Sequence, residues 1–182
     1  MSSNRITTHK FVENLCKSLG VTFEFMLGIT KPLLQHYCLG KSEEGYIRAL
    51  VMIDGDKRAI RRRYIEIVRH PERFTEMDIT VFAIAVACSS WFPEKSDSIL
   101  KEIKMLVPDG KALVFILENA FLAEEAMTDL LIQKKMNLTP GTYDRRKKDA
   151  IAVYGAYILD YAIRREKEDI EKGIIDPPDF EL

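Results

Sequence analysis

Apolar residues recur at helical spacing along this chain, and the alternation that marks a β-strand is almost absent. Signals that start and stop helices come at short intervals between the apolar runs. Gly20, for example, follows an apolar stripe that runs from Phe11 to Leu19, and Thr75 and Asp78 have the spacing of a capping box. The sequence therefore predicts an all-α fold, a multi-helix bundle.

The length of 182 residues fits a single domain with a substantial core. We expect two small helical bundles packed as one all-helical domain over residues 1–175, with halves at 1–74 and 75–172. The last residues, 176–182, read "DPPDFEL" and are predicted to be a disordered acidic tail.

The first helices can be placed from their stops. One helix is predicted from about Thr8 to Leu19 and a short one over residues 21–28. Pro32 is expected near the start of a third helix, which Gly40 would end, because proline fits best in the first turn.

The second half of the chain is also predicted to be helical. The segment from Met77 to about Trp91 is apolar nearly all round, which is typical of a central buried helix. Residues 111–136 should form one long helix or two end to end, with an inner stripe of Ile116, Ala120, Ala123, Met127 and Leu131. The last helix is expected to begin around Tyr143, and beyond Ile163 it is too charged to be buried.

Residues 55–74 carry seven basic side chains, although the formal net charge of the chain is −1. Helical spacing predicts that Ile60, Tyr64, Ile67 and Val68 lie on one face. The basic residues opposite them, predicted to face outward, are Lys57, Arg58, Arg61 and Arg62.

A run of charges usually belongs to a solvated helix face. Two features of residues 56–69 favour an anionic partner instead. Only Asp56 and Glu66 are acidic there. Arginine also outnumbers lysine, and its planar guanidinium can donate two hydrogen bonds to the oxygens of one phosphate. Phospholipid headgroups and a nucleic-acid backbone are the candidate partners.

No motif predicts catalysis. His9, His36 and His70 share no helical turn with each other, and the three cysteines lack the spacing of a metal site or a disulfide pair. We therefore expect a protein that is not an enzyme, with no catalytic residues, no metal, no cofactor and no small-molecule substrate.

The pI of about 6.3 argues against a general nucleic-acid coat. The N-terminus lacks an apolar secretory core and the longest uncharged apolar run is short, so an intracellular protein without a transmembrane segment is expected.

Three segments resemble the matrix proteins of influenza-like orthomyxoviruses. Residues 21–34, "VTFEFMLGITKPLL", resemble the short helix, proline and following helix near the start of that family. Residues 50–67, "LVMIDGDKRAIRRRYIEI", are similar to the family's loop leading into a triple-arginine helix. Residues 147–162, "KKDAIAVYGAYILDYA", are more loosely similar to the final helix of the family's N-terminal domain.

The resemblance implies an all-α fold of two small bundles and a matrix layer under a viral envelope. Such a protein self-associates, touches anionic lipid on one side and meets viral ribonucleoprotein or RNA on the other. By the same resemblance, Arg61, Arg62 and Arg63 match the triple arginine and make surface charge contacts. One departure concerns residues 79–88, which are apolar where the family has a second basic run.

The leading hypothesis is a matrix-like structural protein that self-assembles into an oligomer or lattice and binds anionic membrane. It would lie in the host cytoplasm, at the inner face of the membrane or in the virion interior. The alternative is a helical nucleic-acid-binding regulator or protein adaptor of phage or bacterial type. The residues predicted to bind lipid or nucleic acid are Lys57, Arg58, Arg61, Arg62, Arg63, Arg145, Arg146, Lys147 and Lys148.

Overall fold

The computed structural model describes residues 7–36, 57–79, 82 and 91–182, without the side chains of 91–94. All regular secondary structure in these residues is helical, which confirms the all-α prediction. The helices are α1 (Thr8–Ser18), α2 (Phe23–Gln35), α3 (Lys57–Arg69), α4 (Trp91–Leu106), α5 (Gly110–Leu117), α6 (Asp129–Met136) and α7 (Pro140–Glu171).

Helix α7 forms the axis of the fold, because α1, α2, α3, α4 and α5 all pack against it. Nearly every residue from Ala150 to Leu159 is buried. A Cβ on Gly155 would collide with the side chain of Thr30, so the glycine lets α2 approach α7 closely. Most of the segment expected to be the central helix, Met77–Trp91, lies outside the described residues. Helices from both predicted halves of the chain pack on α7.

Helix α7 differs from the prediction at its start and in the burial of its last turns. It starts at Pro140, ahead of Tyr143, because Thr139 caps it and proline suits the first turn. The prediction that the helix is too charged to be buried beyond Ile163 is wrong. Glu166 and Asp169 are both buried, because cations of α3 pair with them.

Two predicted helix boundaries, the end of α1 and the capping box at Thr75, are present in the structure. Helix α1 is capped by the Thr7 side chain and stops at Leu19, where Gly20 takes a φ of 74°. The capping box is also present: the Thr75 N–H donates to Asp78 Oδ2 at 2.9 Å, and the Asp78 N–H donates to Thr75 Oγ1 at 3.1 Å. Residues 76–79 are accordingly helical.

Helix α2 corrects a prediction, since it is one continuous helix with Pro32 inside it. Proline cannot donate to the carbonyl four residues earlier, which belongs to Gly28. Gly28 is exposed, so water can satisfy that carbonyl. The helix ends at Gln35, and Gly40 lies outside the described residues.

The segment 111–136 forms two helices that are separated rather than end to end. A π-helical turn, Glu118–Leu122, follows α5, and residues 123–128 are not helical. The Thr128 side chain then caps α6 and sets a new helical phase. As a result Leu131 is 43% exposed and Ile132 is fully buried, so the predicted inner stripe is wrong at Leu131.

Residues 176–182, predicted as a disordered tail, contain no helix or strand but contact the helical body. Asp176 accepts a hydrogen bond through its carbonyl oxygen from Arg62 Nη2. The Phe180 ring meets the His70 ring edge to face, with centroids 6.1 Å apart. Phe180 and Leu182 are partly buried against the core.

Candidate anion-binding surface on helix α3

Helix α3 is fixed to the core by its apolar face. Ile60, Tyr64, Ile67 and Val68 are all buried, as their spacing predicted, and Ile65 is buried with them. Five of the thirteen residues of α3 thus form a buried apolar side, which determines which of its cations can reach solvent.

Arg61 does not face outward, and that prediction is wrong. Arg61 as a whole is 4% exposed. Its Nη2 donates to Glu166 Oε2 at 2.7 Å and to Asp169 Oδ2 at 2.9 Å, and its Nε donates to Glu166 Oε2 at 2.9 Å. The cause is helical phase, since Arg61 lies four residues before Ile65 and three before Tyr64, which places it within the buried face.

Arg62 completes the neutralisation of Glu166. Its Nε donates to Glu166 Oε1 at 2.6 Å, and its side chain is 31% exposed. Both oxygens of this buried carboxylate are thus held by arginines. The scarcity of acids near α3 in the sequence was misleading, because the compensating acids come from α7, about a hundred positions later.

Three arginines surround the buried carboxylate of Asp169. Besides Arg61, Arg58 Nε lies 3.6 Å from Oδ2 and Arg165 Nη2 lies 3.6 Å from Oδ1. Burial alone would raise the pKa of Asp169, but Arg61, Arg165 and Arg58 outweigh it and hold the pKa below its usual value. The Asp169 carboxylate therefore stays ionised and anchors α3 to α7.

Three of the predicted binding residues on α3 keep exposed side chains. Lys57 is exposed, and the side chains of Arg58 and Arg63 are 49% and 51% exposed. Arg63 Nη1 donates to Glu66 Oε2 at 2.8 Å, and its guanidinium lies 4.4 Å from the centroid of the Phe74 ring. We call Lys57, Arg58 and Arg63 the α3 cationic surface.

The second basic set lies near the start of α7, and most of it is paired. The pairs are Arg146 with Asp109 at 3.5 Å, Lys147 with Asp129 at 2.7 Å and Lys148 with Asp144 at 2.8 Å. Arg145 is exposed and makes no ion pair with a described carboxylate. Arg146 and Glu166 are separated by roughly 30 Å of helix, at 1.5 Å per residue. The structure therefore does not bring this set together with the α3 cationic surface.

One further polar pair was not predicted. His9 Nδ1 lies 2.7 Å from Asp149 Oδ1, which is buried on α7. The two residues are 140 positions apart, so local sequence could not reveal the pair. Burial raises the pKa of Asp149, although His9 and Arg145 oppose the shift.

The remaining groups give little support for a catalytic or metal site. Burial raises the pKa of the Cys16 thiol to about 11, which makes it a poor nucleophile. Among the described residues, no three His, Cys, Asp or Glu side chains are grouped so that they could hold a metal ion. A shallow cleft of about 360 Å³ is lined by residues that include Ser96, Asp97 and Asn119.

The fold and its surface thus define an all-helical protein with one charged helix locked onto a central helix. The chain matches no family model, no curated protein sequence and no solved structure. None of the helices in the described part of the chain is long and apolar enough to cross a membrane.

Proposed function

We propose that this protein is a matrix-like structural protein, not an enzyme, that attaches to an anionic membrane surface and self-associates. The observation that carries the proposal is the α3 cationic surface, whose exposed side chains project from a helix that is itself rigidly anchored. The sequence resemblance to orthomyxovirus matrix proteins supports the same function, with the virion interior or the inner face of the host membrane as its place.

The anchoring matters for the energetics of attachment. A basic side chain near an anionic membrane contributes about 1 kcal/mol, so Lys57, Arg58 and Arg63 together would hold one molecule only weakly. Arg58 and Arg63 also form ion pairs with Asp169 and Glu66, which partly neutralise them and lower the total free energy of attachment further. Firm attachment would then require many copies acting together.

Exposed apolar side chains support self-association. Met105 and Leu106, at the end of α4, are 81% and 62% exposed, and Leu130 on α6 is 60% exposed. Neighbouring exposed apolar residues such as Met105 and Leu106 are suited to protein contacts, because covering them removes apolar area from water.

The test is flotation of the protein with phosphatidylserine-containing vesicles and with neutral vesicles, at low and high salt. We expect flotation only with the anionic vesicles, lost at high salt and lost in the variant Lys57→Gln/Arg58→Gln/Arg63→Gln. Arg61 is kept, because its replacement would leave Glu166 and Asp169 unpaired inside the fold.

The matched control is Lys101→Gln/Lys104→Gln/Lys111→Gln, which removes the same charge from exposed positions on α4 and α5. Equal loss in both variants would show that overall charge, and not the α3 cationic surface, drives binding. Absence of flotation in every condition would reject the membrane function. Salt-sensitive binding to an RNA oligomer in that case would favour the nucleic-acid-binding regulator instead.

A further inference from the structure

A cleft of about 450 Å³ opens between α4 and the C-terminal part of α7. Its lining comes from two helices that pack together, so the backbones that carry the lining side chains are held side by side. Those on α7 follow the spacing i, i+3, i+4 and i+7, which places them on one face. The described lining residues are Lys95 on α4, and Tyr161, Arg164, Arg165 and Glu168 on α7.

The cleft is lined by three cations and one carboxylate, that of Glu168. Asp160 and Asp169, beside the cleft, neutralise part of this charge by pairing with Arg164 and Arg165. None of these side chains belongs to the α3 cationic surface, although Arg165 and Arg58 approach the same Asp169 carboxylate. An anion that enters the cleft would meet the positive charge of Lys95 and the N–H donors that the two arginines do not use on these carboxylates.

Lys95 lies near an aromatic ring. Its ammonium lies 5.4 Å from the centroid of the Tyr161 ring and makes no ion pair with any residue in the described ranges. The aromatic face attracts the ammonium without supplying a hydrogen-bond acceptor of the kind that a carboxylate offers. Since no acceptor in the described residues takes a hydrogen bond from Lys95, its N–H donors can bind an acceptor that carries charge.

Arg164 and Arg165 are oriented by carboxylates but have N–H donors that these carboxylates do not use. Arg164 Nε donates to Asp160 Oδ2 at 2.8 Å, and Arg165 Nη1 donates to Glu168 Oε2 at 2.7 Å. A guanidinium has five N–H donors, so each arginine retains several that these bonds do not use. Their side chains are 55% and 42% exposed, which leaves them accessible from solvent.

We propose that this cleft binds the phosphate group of a ligand. A terminal phosphate offers three charged oxygens, enough for the ammonium of Lys95 and the guanidinium groups of Arg164 and Arg165 at once, and guanidinium pairs well with phosphate oxygens. The cleft volume lies within the range of small-molecule sites. The phosphate would come from a soluble phosphate-bearing molecule or from the headgroup of a phosphoinositide lipid.

The experiment is calorimetric titration of the full chain with pyrophosphate at low ionic strength. We expect saturable binding that weakens by about tenfold or more in Lys95→Gln/Arg164→Gln, since each charge-assisted hydrogen bond accounts for roughly that factor. The control Lys101→Gln/Lys167→Gln removes the same charge from exposed positions on the same two helices, away from the cleft. It should bind within about twofold of the parent protein.

A flotation arm separates the two sources of phosphate, using vesicles with phosphatidylinositol phosphate against phosphatidylserine vesicles of equal charge. A preference for the phosphoinositide that Lys95→Gln/Arg164→Gln abolishes supports a lipid headgroup, and pyrophosphate binding without this preference supports a soluble ligand. Equal weakening in both double variants, or no saturable binding up to about 10 mM together with no lipid preference, overturns the proposal. The α3 variant should still bind pyrophosphate, so this result is independent of the membrane function.

Discussion

Arg61 and Glu166 lie 105 positions apart in the chain, and their side chains meet at 2.7 Å in the interior. Asp169, one turn further along α7, accepts a second hydrogen bond from the same guanidinium. This relationship makes α3, the most basic of the described helices, a structural support of the fold. It also decides which cations of α3 remain for a partner, and it leads to the first two predictions.

Removing the Arg61 side chain should destabilise the fold strongly. Arg61→Ala leaves Asp169 with only its longer contacts to Arg58 and Arg165 and leaves Glu166 with Arg62 alone, and breaking a buried pair typically costs about 3–5 kcal/mol. The surface pair between Arg63 and Glu66 should matter little, so Arg63→Ala is expected to cost at most about 1 kcal/mol. Urea unfolding of both variants gives the comparison. A loss for Arg61→Ala no larger than that for Arg63→Ala would contradict the buried cluster.

Acid should weaken the same cluster. The pKa of Asp169 is lower in the folded protein than its usual value of 3.8, so its ionised form stabilises the fold above that pH. This contribution should disappear as pH falls below about 3.8 and through the folded pKa. In Asp169→Asn the free energy of unfolding should be lower near neutral pH and should depend less on pH in the acid range. Parallel pH profiles of unfolding for the variant and the parent would rule out this role.

The contact between α2 and α7 depends on the absence of a side chain at Gly155. A Cβ there would strike Thr30 and crowd Met26, so Gly155→Ala should destabilise by about 1–3 kcal/mol, as overpacking usually does. Gly141→Ala is the matched change on the same helix, at a position with open space around it, and should be neutral or slightly stabilising. Thermal unfolding followed by circular dichroism measures both. A Gly155→Ala protein as stable as the parent would mean that α2 and α7 do not approach each other closely at this glycine.

The end of the chain should be more protected than a free tail. Phe180 packs against His70, and Arg62 holds the Asp176 carbonyl, so cleavage near residue 180 by a broad-specificity protease should be slow. Phe180→Ala should speed cleavage there while leaving the far-ultraviolet circular dichroism unchanged. Equally rapid cleavage in the parent protein would support the prediction of a disordered tail.

Several features of the fold could be predicted from the sequence because they depend on residues close together in the chain. The cap at Thr7, the stop at Gly20 and the capping box of Thr75 and Asp78 all act within a few residues. The burial of Arg61 was also detectable, since it shares a helical face with Tyr64 and Ile65. The scarcity of acids near Arg61 in the sequence favoured an outward-facing side chain instead. That prediction failed because the acids that neutralise Arg61 come from a distant helix.

The partners themselves could not be predicted. Pairing Arg61 with Glu166, His9 with Asp149, or Lys95 with Tyr161 requires knowing how α7 packs against its neighbours. The nine basic residues of the predicted binding set looked alike in the sequence. In the structure most are committed to carboxylates of other elements, and their exposure varies from residue to residue.

The sequence by itself determined that this protein is helical and where several helices begin and end, because helical hydrogen bonds and caps join residues close together in the chain. Only the tertiary structure decided which charges are neutralised and which face solvent. That outcome depends on carboxylates brought from the far end of α7 and on the free energy of burying each ion pair. Both are properties of the packed molecule as a whole and of no single segment.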